Sequence, residues 1–433
     1  MPTPIQPLPP KLVTEIPGKR SRELAARLAR VESANVTCLV PQAPIFWQRA
    51  RGVNVWDVDD NRFVDLGGAF GVANAGHAHP EVAAAIAEQA SVLLHGMGDV
   101  HPPAVKVELL EALCARYPGG EECRAVLVSS GSDAVETALK TALLKTGKPG
   151  VIAFEGGYHG LSLGALDVTW RNDFREPFDA RLAHTTSFAR FGDAADVERA
   201  VRELAGRGIE TGAVLVEPVQ GRGGERVPPA GFLSELRTLC DAAGWLLITD
   251  EVYTGFGRTG RWFACEHESV VPDLLCVGKG LSSGMPIAAC LGRAEVMAAW
   301  PESSGEALHT QTFLGHPAGC AAALASLRVL DAEGLIDHSA TLGLAALDHA
   351  RDRLASLQHT PDIRGLGLMI GIECRSGEIA LEACTRALER GYILLPSGED
   401  GRVLSLTPPL SIPRELLLTA IDVLADVLAE AGQ

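Results

Sequence analysis

Lys279 sits between two glycines, in Gly278-Lys279-Gly280, directly after the apolar run Leu274-Leu275-Cys276-Val277. Asp250 lies 29 positions earlier, at the end of a second apolar run, Trp245 to Thr249. Both runs are short and bounded by breakers, the pattern of strands buried on both faces of a parallel sheet. An amine and a carboxylate at the carboxyl ends of such strands stand where open α/β sheets bind ligands. They are also the protein parts of pyridoxal phosphate (PLP) chemistry, which uses a lysine Schiff base and an acidic partner for the ring nitrogen. A lysine after a strand is more often a solvated loop residue, so the other motifs decide.

Ser129-Ser130-Gly131-Ser132-Asp133 follows one apolar strand and opens a helix. Small residues there let backbone N–H groups approach an anion at the helix N-terminus, with the Ser130 and Ser132 hydroxyls as added donors. The same residues also fit an ordinary helix start, with Ser132 as N-cap. In Gly156-Gly157-Tyr158-His159-Gly160, an aromatic flanked by glycines could lie against a planar heterocycle or simply pack in a loop. His159 there is ambiguous and could serve only to hold Tyr158. After Asp250, Val252 returns to the same face of an extended chain. The segment His309 to Pro317 is rich in hydroxyl and amide donors, a further source of phosphate contacts.

The elements that must position these residues follow from periodicity. From Arg124 to Val277, apolar strands (125–129, 151–154, 213–217, 246–250 and 274–277) alternate with helical stretches, which implies a mainly parallel sheet. Residues 44–66 read as a β-hairpin or meander, 80–116 as helical, and 318–330 as a long alanine-rich helix. The tail reads as helix 339–357, strand 365–372, helix 377–390, strands 393–395 and 403–406, and helix 413–430. That is an α+β module of ordinary small-domain size.

The 433 residues allow two or three domains, and 47% apolar with 21% charged residues is a globular composition. A net charge of −16 argues against nucleic-acid and anionic-membrane partners. Ten cysteines form no CxxC pair and no zinc spacing. They read as reduced thiols of a cytoplasmic protein, as does an N-terminus that carries prolines (Pro2, Pro4, Pro7, Pro9, Pro10, Pro17) rather than a signal-like segment. No metal site is expected. No strand is followed by GxGxxG, which disfavours a dehydrogenase.

In this order and spacing, SSGSDAVETALK, YHG, VEPVQG, TDEVYTGFGRTG, GKG and HTQTFLGHPAG resemble the class III aminotransferases, PLP enzymes of fold type I that include the ornithine, acetylornithine and 4-aminobutyrate transaminases. The likeness runs over nearly the whole chain. It implies an α/β fold with a large PLP-binding domain, 70–325, and a small α+β domain made of 326–433 with part of 1–69. It implies that Lys279 holds PLP as a Schiff base and that Asp250 binds the ring nitrogen. Val252 and Tyr158 would cover the two ring faces, with Gly131 and Ser132, beside Ser130, at the phosphate. His159, Glu217 and Tyr253 would complete the cofactor pocket. Thr312 would reach the phosphate of a neighbouring subunit, so a homodimer or dimer of dimers is expected. The implied reaction moves an amino group from an amine or amino acid to a keto acid or aldehyde by a ping-pong route.

Several positions depart from the family. Tyr253 stands where a Gln is common, and Leu161 where an Arg often follows the YHG motif. Arg222 replaces the Glu, and Ser405 the Arg, of a frequent Glu–Arg pair. Ornithine or 4-aminobutyrate specificity is therefore not carried over, and Arg222 becomes the candidate reader of a substrate carboxylate, near Ser405. Two rival readings are an amino acid racemase or epimerase and a non-catalytic PLP-binding regulator. The racemase needs a second acid/base, and arginine at position 222 is a poor one. The regulator would be expected to carry a DNA-binding domain.

Overall fold

The computed structural model describes residues 7–37, 44–120, 122–359 and 361–432. Pro2, Pro4 and Cys38 fall outside them. The N-terminal meander is three antiparallel strands, β1 (Trp47–Arg51), β2 (Asn54–Asp57) and β3 (Arg62–Asp65). Its second turn uses the expected turn formers. Asp60 takes φ +67°, and Asp57 Oδ1 accepts from the N–H groups of Asp59 and Asn61, both at 2.9 Å.

The large sheet has seven strands: β4 (Cys123–Val128), β5 (Gly150–Phe154), β6 (Thr186–Ala189), β7 (Thr211–Val216), β8 (Leu246–Asp250), β9 (Leu274–Val277) and β10 (Ala288–Arg293). They lie in the order β4-β10-β9-β8-β7-β5-β6. All neighbours are parallel except β10, which is antiparallel to both β4 and β9. Every residue of β7, β8 and β9 is buried. Alternate side chains feed two cores. Val214, Val216, Leu247, Leu275 and Val277 join the helix Phe232–Ala243 on one face, while Ala213, Leu215, Ile248, Leu274 and Cys276 join the helix Gly131–Thr146 on the other. Two-sided burial is why these strands read as unbroken apolar runs rather than alternating ones.

The C-terminal region adds β11 (Asp362–Leu366), β12 (Met369–Glu373), β13 (Tyr392–Ile393), β14 (Leu395–Ser397) and β15 (Val403–Leu406). Four of them form a sheet in the order β11-β12-β15-β14, and β13 pairs in parallel with β3, so the two ends of the chain share a sheet. Four expectations change. The strand at 393–395 is split between β13, which pairs with β3, and β14, which pairs with β15. The single strand at 365–372 is a hairpin turning at Gly367, φ +57°, where a Cβ would meet the Thr259 carbonyl carbon at 2.4 Å. The helical stretch 80–116 is two helices, Pro80–Val92 and Ala104–Cys114, with Pro102 and Pro103 between them. Strands β6 and β10 add to those read from the sequence.

Since β10 is antiparallel to both neighbours, β4 runs parallel to β9. The carboxyl ends of β4, β5, β7, β8 and β9 therefore open on one edge of the sheet, and the motif loops gather there. Arg258, fully buried, fixes the loop after β8 to the rest of the chain. Its guanidinium donates to the carbonyls of Leu368 (2.9 Å) and Pro408 (2.6 Å) and to Asn74 Oδ1 (2.7 Å).

Candidate active site

Lys279 leaves the end of β9 with φ +41°, a left-handed conformation that a lysine adopts only where its surroundings impose it. Its neighbour Gly280 has room for no side chain: a Cβ there would lie 2.3 Å from Asn74 Nδ2. The lysine borders a cavity, and its Nζ stands 3.8 Å from the centre of the Tyr253 ring. Burial pushes its pKa down to about 8, against the charges of Asp250 and Glu217 and helped by Arg222 and Arg258. The amine is thus far more easily neutral than an exposed lysine.

Asp250 ends β8, buried. Its Oδ2 lies 2.8 Å from His159 Nδ1, and its Oδ1 accepts from Val252 N–H at 3.1 Å. Burial works against a charge on His159, but the hydrogen bond and charge of Asp250, with Glu217 behind, outweigh it and hold the imidazole pKa above its ordinary range. His159 thus supports Asp250 rather than Tyr158. Glu217, also buried, bridges two loops, accepting from Tyr158 N–H (2.9 Å) and Gly221 N–H (3.0 Å). Burial raises its pKa, with the charge of Asp250 adding and that of His159 opposing.

Gly131 and Val252 face each other so closely that a Cβ on Gly131 would lie 2.7 Å from Val252 Cγ1. The Ser130 hydroxyl is the N-cap of the 16-residue helix, accepting from Asp133 N–H at 3.2 Å and donating to Asp133 Oδ2 at 2.8 Å. Ser130, not Ser132, therefore caps that helix, and Ser130 does not border the cavity. Ser132 does; its hydroxyl donates to Ser162 Oγ at 2.8 Å and accepts from Ser162 N–H at 3.1 Å.

Gly131, Ser132, Tyr158, His159, Glu217, Asp250, Val252, Tyr253 and Lys279 thus surround one cavity of about 320 Å³. A second, of about 390 Å³, shares Tyr158, Arg222, Tyr253 and Lys279 with it and extends to Ser397, Ser405 and Thr407. The Tyr253 hydroxyl lies 3.0 Å from Thr407 Oγ1. The exposed guanidinium of Arg222 lies over the rings of Tyr158 (5.2 Å) and Phe174 (5.7 Å) and makes no ion pair with Glu225. Thr312 is exposed and borders neither cavity; the adjacent Gln311 Oε1 accepts from Ser129 Oγ at 3.1 Å.

The donor set suits PLP. Lys279 supplies the amine, and the buried Asp250–His159 pair supplies an anion for a ring nitrogen. Gly131 keeps the backbone at a helix N-terminus bare beside Val252. Glu225 and Ser397 also border the second cavity, although no sequence motif marked either one for a role there.

The family model for aminotransferase class III matches residues 38–428. The chain is 37% identical to the 4-aminobutyrate aminotransferase of Mycobacterium leprae, over 97% of this chain and 98% of that protein. It is 38% identical to the acetylornithine aminotransferase of Methanopyrus kandleri, over 90% and 95%. Its fold superposes on the ornithine aminotransferase of Toxoplasma gondii, a structure with partial PLP occupancy at its active site, with a TM-score of 0.84 at 29% identity, covering 95% and 94% of the two chains. The chain belongs to the class III aminotransferases, PLP-dependent enzymes that transfer an amino group from an amine or amino acid to a carbonyl acceptor.

Proposed function

We propose that Lys279 bonds the cofactor and moves the proton in this transamination, with Asp250 as its electrostatic partner. The observation that carries the reading is the Lys279 amine, its pKa brought down to about 8, lining the same cavity as the hydrogen-bonded Asp250–His159 pair. Bound PLP supplies an aldehyde for amine exchange and a ring that withdraws electrons from the substrate carbon. Lys279 Nζ, freed by that exchange and neutral, would be the base that takes the proton from the substrate carbon. Asp250, oriented by His159, holds the proton on the ring nitrogen. Gly131 and Ser132 would hold the phosphate, and Val252 and Tyr158 would flank the ring. Glu217 fixes the two loops that bring Tyr158 and Gly221 to the site. Borohydride reduction of the yellow holoenzyme followed by peptide mapping tests the assignment: label on the Lys279 peptide is expected, and label on Lys140 or Lys145 refutes it.

Arg222 reads a carboxylate of the amino donor or of a keto-acid acceptor, beside Ser405 at the second cavity. Its guanidinium lies over Tyr158, at the junction of the two cavities. The active unit is a homodimer, or a dimer of dimers, in which Thr312 reaches the partner's phosphate site. This rests on the exposed apolar side chains Leu94, Met97, Leu308 and Phe313, with the Phe313 and His95 rings 5.3 Å apart. The chain divides into a large domain (70–325) and a small one joining 326–433 to part of 1–69, supported by the β3–β13 pairing. A cytoplasmic location suits the free thiols of the nine described cysteines. Among the described residues no helix is long and apolar enough to cross a membrane.

A further inference from the structure

Glu225 is a buried carboxylate in the wall of the second cavity and does not border the one around Asp250. It is presented by a constrained turn. The pair Gln220–Arg226 closes the turn with two backbone hydrogen bonds of 3.0 Å, and Glu225 itself takes φ +47°. Arg364 pins the turn from β11, its Nε and Nη2 donating to Gly224 O at 2.9 and 2.7 Å. A residue without glycine's freedom in the left-handed region is held there by its surroundings, and such strain clusters at functional sites.

The two carboxylate oxygens have only hydroxyl partners in the described residues. Ser405 Oγ donates to Oε1 at 2.5 Å and Ser397 Oγ to Oε2 at 2.6 Å. No basic nitrogen of the described residues lies within ion-pair distance. Arg364, which acts on it electrostatically, directs its Nη1 to Asp362 (2.5 Å) and Glu373 (2.6 Å). A carboxylate taken out of water without a counter-ion is costly, and a fold has little reason to retain one for stability alone.

Its place relative to Lys279 gives it a use. Tyr253 packs against the same turn so tightly that a Cβ on Gly221 would lie 2.2 Å from Tyr253 Cδ1. The Tyr253 ring in turn has the Lys279 amine 3.8 Å from its centre. The chain of contacts therefore runs from Lys279 through Tyr253 to the Glu225 turn, along one wall of the cavity, while Arg222 lies with Tyr158 and Phe174. A donor whose reacting amine is at Lys279 and whose body lies along Tyr253 would place its far end at Glu225.

We propose that Glu225, with Ser397 and Ser405, forms an anionic subsite that selects amino donors carrying a second, protonated amine. The ammonium supplies the missing counter-ion, and the serines hold the carboxylate oxygens in place for it. The inference rests on Lys279 being the reacting residue.

The test is the donor half-reaction of the holoenzyme, followed by the change in cofactor absorbance after mixing with amine and with no acceptor present. The probes are 1,5-diaminopentane, 1-aminopentane and mono-N-acetyl-1,5-diaminopentane, the last matching the diamine in reach but neutral at the far end. Wild type should convert the diamine with at least ~10-fold greater efficiency than either comparison amine, the scale of one charged hydrogen bond. In Glu225→Gln that selectivity ratio should collapse toward one. Equal efficiencies in wild type, or a ratio that survives the substitution, overturn the proposal. If Glu225→Gln does not fold, the wild-type comparison of the diamine with its acetyl derivative decides alone. A cofactor label on another lysine would strike the Lys279 assignment instead, so the two failures are separable.

Discussion

Replacing Glu225 by Gln should make stability respond to pH in a way that measures how badly this carboxylate is solvated. Burial pushes the Glu225 pKa from its ordinary 4.5 up to about 7, against the hydroxyl bonds of Ser397 and Ser405 and the charge of Arg364, with Glu217 adding to the rise. The neighbouring Tyr253 carries no charge at neutral pH, burial having raised its pKa further. Below about pH 4.5 the group is protonated in folded and unfolded protein alike. Between about 4.5 and 7 only the folded protein keeps the proton, so stability falls as pH rises through this window. The full loss is about 3 kcal/mol, and about 2 kcal/mol of it lies between pH 5.5 and 8. Glutamine keeps the shape and cannot titrate. Urea unfolding of wild type and Glu225→Gln holoenzyme, measured in parallel at pH 5.5, 6.5, 7.5 and 8, cancels every shared titration. The variant should gain about 2 kcal/mol on wild type across the series. A difference that stays constant, or moves toward wild type, would show that the Glu225 carboxylate is stable as an ion and would remove the physical basis for an ammonium subsite.

Asp250→Asn preserves shape but removes the charge facing the ring nitrogen, so cofactor should remain bound while proton abstraction slows by ~100-fold or more, the scale of one preorganised charge on a developing one; near-normal single-turnover rates would reduce Asp250 to a structural role. Arg222→Ala should raise KM for an acidic substrate relative to a neutral amine by ~10-fold or more, and equal shifts for both substrate types would exclude it as the carboxylate reader. Phe313→Asp, among the exposed apolar side chains, should weaken self-association in sedimentation and cut activity in parallel, whereas a fully active monomer would contradict a shared site.

The large sheet was legible because its strands carry the plainest signal a sequence offers. β7, β8 and β9 are buried on both faces, so each reads as a short apolar run closed by a breaker. The elements that escaped lack that signal. β6 (Thr186–Ala189) is an edge strand with two hydroxyl residues in four. β10 runs into a helix within an apolar stretch where periodicity cannot separate strand from helix. The turn at Gly367 hides inside a run that alternates well enough to pass for one strand; what bends it is contact with the loop at Arg258–Gly260, more than 100 residues away in sequence.

The site divides along the same physical line. Asp250 and Lys279 sit at the ends of buried strands, and Gly131 and Tyr158 in the short loops that follow β4 and β5, so the strand pattern itself locates them. Their partners depend on tertiary contacts that no local pattern encodes. His159 could be read as a prop for Tyr158, yet it bonds Asp250, because β5 and β8 open on the same edge with only β7 between them. Glu225 offered no motif at all, and its position three residues after Arg222 would equally allow the two to pair. A turn whose φ is left-handed at Glu225 instead sends the carboxylate to the serines of β14 and β15, while Arg222 goes to the aromatic rings on Tyr158's side. The two charges that the sequence sets side by side end up serving different parts of one cavity. That separation allows a single pocket to accept an anionic group near Arg222 and a cationic one near Glu225 without the two protein charges neutralising each other first.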